Sequence, residues 1–310
     1  MDETREAEPD ASHLIPRAGE VMRRQLKTPL VPGLYVVATP IGNLGDITLR
    51  ALTVLAQVDL ILCEDTRHSR TLLSHFAIPV PTRPYHEHNA AKERPRVLAE
   101  LTEGKRIAII SDAGTPLVSD PGWKLVREAV EAGHHVEALP GASAPLVALT
   151  LAGLPTDAFL FAGFLPSKQG SRRARIAELA QVPATLVFFE APSRVPEAFA
   201  DLAAVLGPRP AALARELTKL HEEVLRSPLD KLAADLDGKT VKGEAVILVG
   251  PPQLADVSDE EISVRLAVAL ESMSLRDAAK AVADALGVPK NRVYDLGLRV
   301  RRKLPGDAAT

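Results

Sequence analysis

The sequence predicts an α/β protein: two α/β domains followed by a small helical region at the C-terminus. Short apolar runs alternate with helical patterns from residue 33 to about 155, which argues a mostly parallel sheet. A second series of strand-like and helix-like stretches fills residues 156–255, ends at Pro251-Pro252, and argues a mixed sheet. From residue 256 to 310 the strand patterns stop and three helical stretches follow. Residues 1–32 mix acids and bases with few large apolar groups and are expected to be a disordered extension.

In chain order, strands are expected at Gly33–Thr39, Leu60–Cys63, Arg106–Ile110 and His135–Leu139. Helices are expected from Ile47 to about Gln57, capped by Asp46, and then over Thr71–Phe76 and Ala91–Leu101. The stretch between the last two, containing Tyr85-His86-Glu87-His88-Asn89, reads as Pro-rich coil. Beyond the turn at Gly153–Asp157, strands are expected at Phe159–Phe164, Ala184–Phe189, Ala211–Leu217, Glu222–Arg226 and Glu244–Val249. Helices fall near Ser171–Ala180, Val195–Leu206 and Leu229–Leu236. The tail helices are Glu260–Glu271, Leu275–Leu286 and Lys290–Arg302, with a capping box at Ser274 and a C-cap at Gly287. The last two resemble a helix-turn-helix unit.

The organising stretch is Ser111-Asp112-Ala113-Gly114-Thr115-Pro116-Leu117-Val118-Ser119-Asp120-Pro121-Gly122, lying between a strand and the helical run from Trp123. Open α/β sheets bind ligands at the carboxyl ends of their strands. Glycines there let backbone approach a ligand, and the carboxylates of Asp112 and Asp120 accept hydrogen bonds. Asp120 has a plainer alternative as the cap of the helix that follows.

Composition limits the function. Of 310 residues 46% are hydrophobic and 25% charged, enough for a sizeable core. Net charge is −3, so nucleic-acid binding would have to use local patches. The single cysteine, Cys63, excludes an internal disulfide and a Cys-based zinc cluster and suits a reducing compartment. There is no run of 18 apolar residues and no apolar leader, so the expected location is the cytoplasm, away from membranes.

Several partial motifs fail. Gly238-Lys239-Thr240 ends like a phosphate loop, but Ala233 stands where its first glycine belongs. Ile41-Gly42-Asn43-Leu44-Gly45 lacks the third glycine of a dinucleotide fingerprint, and Leu225 denies His221-Glu222 a second zinc-binding histidine. His68, His75, His86 and His88 have no framed partners, so no metal is expected. The stretch Lys168–Arg175 holds four cations and no acid at a helix start, which favours an external anion.

Six motifs together resemble one family. They are Val37–Asp46, Cys63-Glu64-Asp65-Thr66-Arg67, Ser111–Gly122, Leu139-Pro140-Gly141-Ala142-Ser143, Phe189-Glu190-Ala191-Pro192-Ser193-Arg194 and Ala214–Lys219. The chain resembles the S-adenosylmethionine methyltransferases of tetrapyrrole-methylase type over residues 33 to 304. Within them it is similar to the branch that methylates a cytidine ribose 2′-oxygen in the decoding region of 16S ribosomal RNA. The turn Thr39–Gly45 departs from the Gly-Pro-Gly turn usual among the tetrapyrrole enzymes, which points to the RNA branch.

The resemblance implies a homodimer in which each chain binds S-adenosylmethionine in a cleft between its two α/β domains (33–155 and 156–255). Pro40 is then expected on the adenosyl side. Asp112, Gly114, Thr115, Ser143 and Ala144 are expected around the methionine or ribose, and Phe189 and Ala245 against the cofactor. A ribose hydroxyl gains from a proton acceptor: Glu64 is the expected base, with a salt bridge to Arg67 or Arg70 as its plainer role, and Asp65, His86, His88 and Glu190 are the other candidates. Arg67, Arg70, Arg172, Arg173 and Arg194 are expected phosphate contacts. In the helical region 256–310 the bases Lys290, Arg292, Arg299, Arg301, Arg302 and Lys303 stand against one acid, Asp295, between Leu286 and Pro305; alone they read as a solvated helix face, and the resemblance implies an anchor for 16S rRNA within the small ribosomal subunit. The alternatives are a methyltransferase for a corrinoid or other small molecule, and a non-catalytic RNA-binding or ribosome-assembly protein on the same fold.

Overall fold

The computed structural model describes residues 12–119, 122–252 and 257–301. Residues up to Leu179 together with Ala184–Gly250 form one compact unit, and the chain from Pro251 belongs to a second.

The first unit opens with α1 (Leu14–Lys27), where the sequence predicts a disordered extension. The expectation is corrected for these residues; Met1–Ala11 lie outside the described residues. Although no residue of α1 is fully buried, Met22 packs on the core and Thr53 donates to the side chain of Gln25 at 3.1 Å.

Strands β1 (Gly33–Val37), β2 (Leu60–Cys63), β3 (Thr82–Pro84), β4 (Arg106–Ile110) and β5 (His135–Leu139) form a sheet in the order β3-β2-β4-β1-β5. Every pairing in it is parallel. Alternate residues serve opposite faces, as the two-residue period of a strand requires. Tyr35, Val37, Ile61, Cys63, Ala108 and Ile110 pack with α2 (Leu49–Leu55) and α3 (Thr66–His75). Leu34, Val36, Leu60, Leu62, Ile107 and Ile109 pack with α4 (Ala90–Thr102) and α5 (Trp123–Glu131).

Local chemistry shifts three boundaries. Asp46 ends a 3₁₀ turn rather than capping α2, whose cap is Thr48, accepting from the Ala51 N–H. Asp65 caps α3 through the Arg67 N–H and starts it five residues before the predicted Thr71. The expected coil contains the edge strand β3, which ends at Pro84, a residue an edge tolerates.

After α6 (Ala144–Ala152) come β6 (Phe159–Phe164), α7 (Gln169–Leu179), β7 (Thr185–Glu190) and α8 (Val195–Leu206). They are followed by β8 (Pro210–Arg215), β9 (Glu223–Pro228), α9 (Leu229–Leu236) and β10 (Ala245–Val249). The second sheet runs β6-β7-β10-β8-β9 and is mixed: β6 and β7 are parallel, the remaining pairs antiparallel. Leu149 and Ala152 of α6 pack against Val187, Ala212, Ala214, Val246 and Leu248 of this sheet.

The second unit holds α10 (Asp259–Leu270), α11 (Leu275–Leu286) and α12 (Lys290–Arg301) around its own apolar core, including Ile262, Leu266, Ala279, Val282 and Val293. Ser258 and Ser274 cap α10 and α11 through the N–H groups of Glu261 and Asp277. Gly287, at φ 63°, closes α11 in the left-handed conformation that a glycine C-cap supplies. Gly297 lets α11 and α12 approach, since a Cβ there would stand 2.5 Å from Leu275 Cδ1.

Candidate active site

The loops after β1, β4 and β5 are bonded to one another. Thr39 and Gly114 exchange backbone hydrogen bonds, and the Thr39 hydroxyl donates to the Ser111 carbonyl at 3.1 Å. The Ser111 hydroxyl donates to the Gly114 carbonyl at 2.9 Å, and the Thr115 hydroxyl to the Ala142 carbonyl at 3.1 Å. Gly114 sits at φ 79°, and Leu117 and Ser119 also take positive φ, at 72° and 66°. Two non-glycine residues in this region within one loop are backbone strain of the kind that gathers at ligand sites.

A cavity of about 310 Å³ opens beside these loops, within the range of small-molecule sites. From the first sheet's side it is lined by Ile41, Ala113–Thr115, Val118, Ser119 and Ser143–Pro145. From the second sheet come Phe164, Phe189, Glu190, Ala191, Pro192, Leu217 and Glu244–Val246. Among the described residues of this lining stand two carboxylates and no lysine or arginine. A Cβ on Gly114 would lie 3.0 Å from Ile41 Cγ2 and 3.4 Å from the Ala142 carbonyl, so bare backbone forms that part of the wall.

Six of the eight residues expected around the cofactor line this cavity: Gly114, Thr115, Ser143, Ala144, Phe189 and Ala245. Pro40 and Asp112 are not among its lining residues. Pro40 is buried, and Asp112 Oδ1 accepts the backbone N–H of Asp65 at 3.2 Å, tying the loop after β4 to the start of α3. Asp120 lies outside the described residues.

Of the proton-acceptor candidates, Glu64 is exposed and away from the cavity, and His86 is half-buried beside His88, also outside the lining. Glu190 is within it. Its side chain is fully buried, its Oε1 receives the Ala191 N–H at 2.8 Å and pairs with Arg194, and its Oε2 has no hydrogen-bond partner among the described residues. A buried carboxylate oxygen without a donor is costly unless a ligand supplies one.

The expected phosphate contacts divide. Arg67 is 90% exposed at its side chain, paired only with neighbouring Asp65, and Arg70 is exposed. Arg172 is corrected: its side chain is 2% exposed, with Nε on Asp201 at 2.7 Å and further bonds to the Ser167 carbonyl and Glu197. Arg173 binds the other Asp201 oxygen at 2.6 Å, and the pair clamps α7 to α8. Burial works to raise the Asp201 pKa, but the hydrogen bonds from Arg173 and Arg172 outweigh it and hold the carboxyl below its ordinary value. Arg194 is engaged with Glu190. In the second unit Lys290 is exposed, whereas Arg292 bonds Asp259 and the Val257 carbonyl, fixing the start of α10. Arg301 ends α12, and Arg302 and Lys303 lie outside the described residues.

Ile41, Val118, Ser119, Phe164, Leu217 and Glu244 line the cavity without having been singled out as site residues. Leu217 belongs to the Ala214–Lys219 motif, and Phe164 ends the predicted strand Phe159–Phe164. What composition could not show is which strand ends face each other.

A parallel sheet facing a mixed sheet across a loop-lined cavity defines a two-sheet α/β protein with a site of small-molecule size. The chain belongs to the family of Tetrapyrrole (Corrin/Porphyrin) Methylases, whose model matches residues 33–233. A second model, the RsmI C-terminal HTH domain, matches residues 256–301. The chain is 50% identical over 271 residues to Ribosomal RNA small subunit methyltransferase I of Mesorhizobium japonicum, covering 86% of this chain and 91% of that one. It is 45% identical over 277 residues to the protein of the same name from Pseudomonas aeruginosa, covering 87% and 98%. Among solved structures, diphthine synthase matches with TM-score 0.56 at 16% identity, over 70% of this chain and 89% of that one. Uroporphyrin-III C-methyltransferase from Thermus thermophilus complexed with S-adenosylhomocysteine matches with TM-score 0.51 at 21% identity, over 70% and 97%. These two share the fold.

Proposed function

We propose that this enzyme transfers a methyl group from S-adenosylmethionine to the ribose 2′-oxygen of a cytidine in the decoding region of 16S ribosomal RNA. The observation that carries this reading is the 50% identity, across 86% of the chain, to a ribosomal RNA small subunit methyltransferase. The helical unit favours it over a small-molecule methylase, because a corrinoid-sized substrate needs no such module. The loop-lined cavity favours it over a non-catalytic assembly protein.

The residues present fit S-adenosylmethionine. Ile41, Leu217, Phe189 and Val246 offer apolar walls for a purine, Thr115, Ser119 and Ser143 offer hydroxyls, and a lining with carboxylates but no cation suits a sulfonium and an ammonium. When bound, this cofactor supplies a methyl group on a good leaving group, so alignment provides much of the acceleration. The Glu190 carboxylate would take the 2′-hydroxyl proton as the methyl passes to the ribose 2′-oxygen, its bond to sulfur breaks and S-adenosylhomocysteine leaves. Arg194 and the Ala191 N–H hold the carboxylate in place.

Exposed Arg67, Arg70 and Lys290 are the phosphate contacts in this reading. The substrate is an assembled small ribosomal subunit, the enzyme a homodimer, and the compartment the cytoplasm. Among the described residues no helix is long and apolar enough to cross a membrane.

The test is transfer of tritiated methyl from S-adenosylmethionine to small subunits lacking the modification, beside naked 16S RNA and a corrinoid precursor. Alkali-resistant label at one cytidine of the subunit RNA is the expected result. Label confined to the corrinoid would overturn the substrate while leaving the fold intact.

A further inference from the structure

A ribose hydroxyl can reach an enclosed methyl donor only if its nucleotide leaves the RNA stack, and the displaced base then loses its stacking partners. Aromatic faces are scarce in this chain, with 7 Phe, 3 Tyr and 1 Trp in 310 residues. The cavity lining contains two aromatic rings, Phe164 and Phe189.

The two rings are differently placed. Phe189 is half-buried and flanked on both sides, by Phe161 with ring centroids 5.0 Å apart and by Phe164 at 5.5 Å. Phe164 packs against Phe189 on one side and keeps 55% of its surface exposed. The backbone is built to put it there. β6 and β7 pair in register from Phe159↔Thr185 to Phe161↔Val187 and resume at Phe164↔Phe189, so β6 carries one extra residue. Gly163 sits inside this bulge at φ 67°, a conformation glycine adopts without strain. In a regular strand residue 163 would share the face of Phe161. The bulge gives that place to Phe164, at the rim of the cavity.

We infer that Phe164 is a stacking platform for the nucleobase of the target nucleotide. This rests on the RNA reading proposed above. A base is favoured over the adenine of the cofactor because the buried apolar residues Ile41, Leu217, Ala245 and Val246 already wall the interior of the cavity. A ring that is more than half exposed faces what arrives from solution. Stacking does not depend on base identity, so Phe164 contributes affinity and positioning while pairing edges remain free for recognition.

The experiment compares wild type with F164L, which keeps apolar bulk without a π-face, and F164W, which restores one. Two readouts are taken: the Kd for S-adenosylhomocysteine by titration calorimetry, and kcat/KM for methylation of small subunits lacking the modification. In F164L the Kd should stay within about twofold while kcat/KM falls by about 10- to 100-fold, and F164W should recover most of the loss. If the Kd weakens in step with kcat/KM, the ring serves the cofactor and the inference fails. If neither changes, the ring is no platform at all. Wild-type enzyme that leaves the subunits unlabelled overturns the RNA reading and this inference together, whereas equal labelling by wild type and F164L overturns the inference alone.

Discussion

Thr39 and Gly114 lie 75 residues apart and exchange backbone hydrogen bonds of 2.9 and 3.1 Å, forming an isolated antiparallel bridge between the loops after two parallel strands. Gly114 sits in this bridge at φ 79°, where a Cβ would stand 3.0 Å from Ile41 Cγ2. G114A should therefore cost about 1–2 kcal/mol from the left-handed backbone alone. It should also weaken S-adenosylhomocysteine binding, because the added methyl enters the cavity wall. Thermal melts with and without S-adenosylhomocysteine check both: the melting temperature should fall, and the ligand-induced rise should shrink.

Glu190 and Arg194 form the buried ion pair of the cavity wall. E190Q keeps the shape and removes the proposed proton acceptor, so kcat should fall by about 10²- to 10⁴-fold. The Kd for S-adenosylhomocysteine should change little. A parallel collapse in cofactor affinity would instead place Glu190 on the cofactor.

Asp201 anchors Arg172 and Arg173 and is itself 1% exposed. D201N leaves buried Arg172 without its main counter-charge and should cost about 3–5 kcal/mol. The pH dependence has a definite sign. Because the folded-state pKa lies below the ordinary 3.8, the stabilisation is full above that value and is lost as pH falls through the lower folded pKa. The gap in melting temperature between wild type and D201N should be wide at neutral pH and narrow below about pH 4.

Arg70 and Lys290 are exposed, so R70A and K290A should leave the melting temperature unchanged. Each should weaken binding to small subunits and reduce the slope of log K against log salt by about 1. R172A should do the reverse, lowering the melting temperature without a specific change in salt slope.

Most of the fold was legible because its signals are local. The runs Leu60–Cys63, Arg106–Ile110 and His135–Leu139 are strands at the predicted residues, and Ser274 and Gly287 bound a tail helix as capping chemistry requires. β3 escaped notice because it is three residues long and ends in proline. α1 escaped because the charges around Met22 and Leu26 conceal a helical spacing whose value appears only when Met22 meets the core. Polar residues near strand ends mark the region of a site but not its inward side. Glu64 and Glu190 are both carboxylates at strand ends, yet of the two Glu190 alone is a lining residue of the cavity. Four cations in Lys168–Arg175 suggested an anion from outside, whereas the anion for two of them is Asp201, supplied by α8.

The bonds among Thr39, Ser111, Gly114, Thr115 and Ala142 fix the loop backbones beside the cavity before anything binds. Ligand association then spends little free energy on ordering these loops, and more of the contact energy appears as affinity. On this account the reactant is held by a prepared surface, and the part of catalysis still to be assembled at each turnover is the RNA, whose nucleotide must unstack and dock.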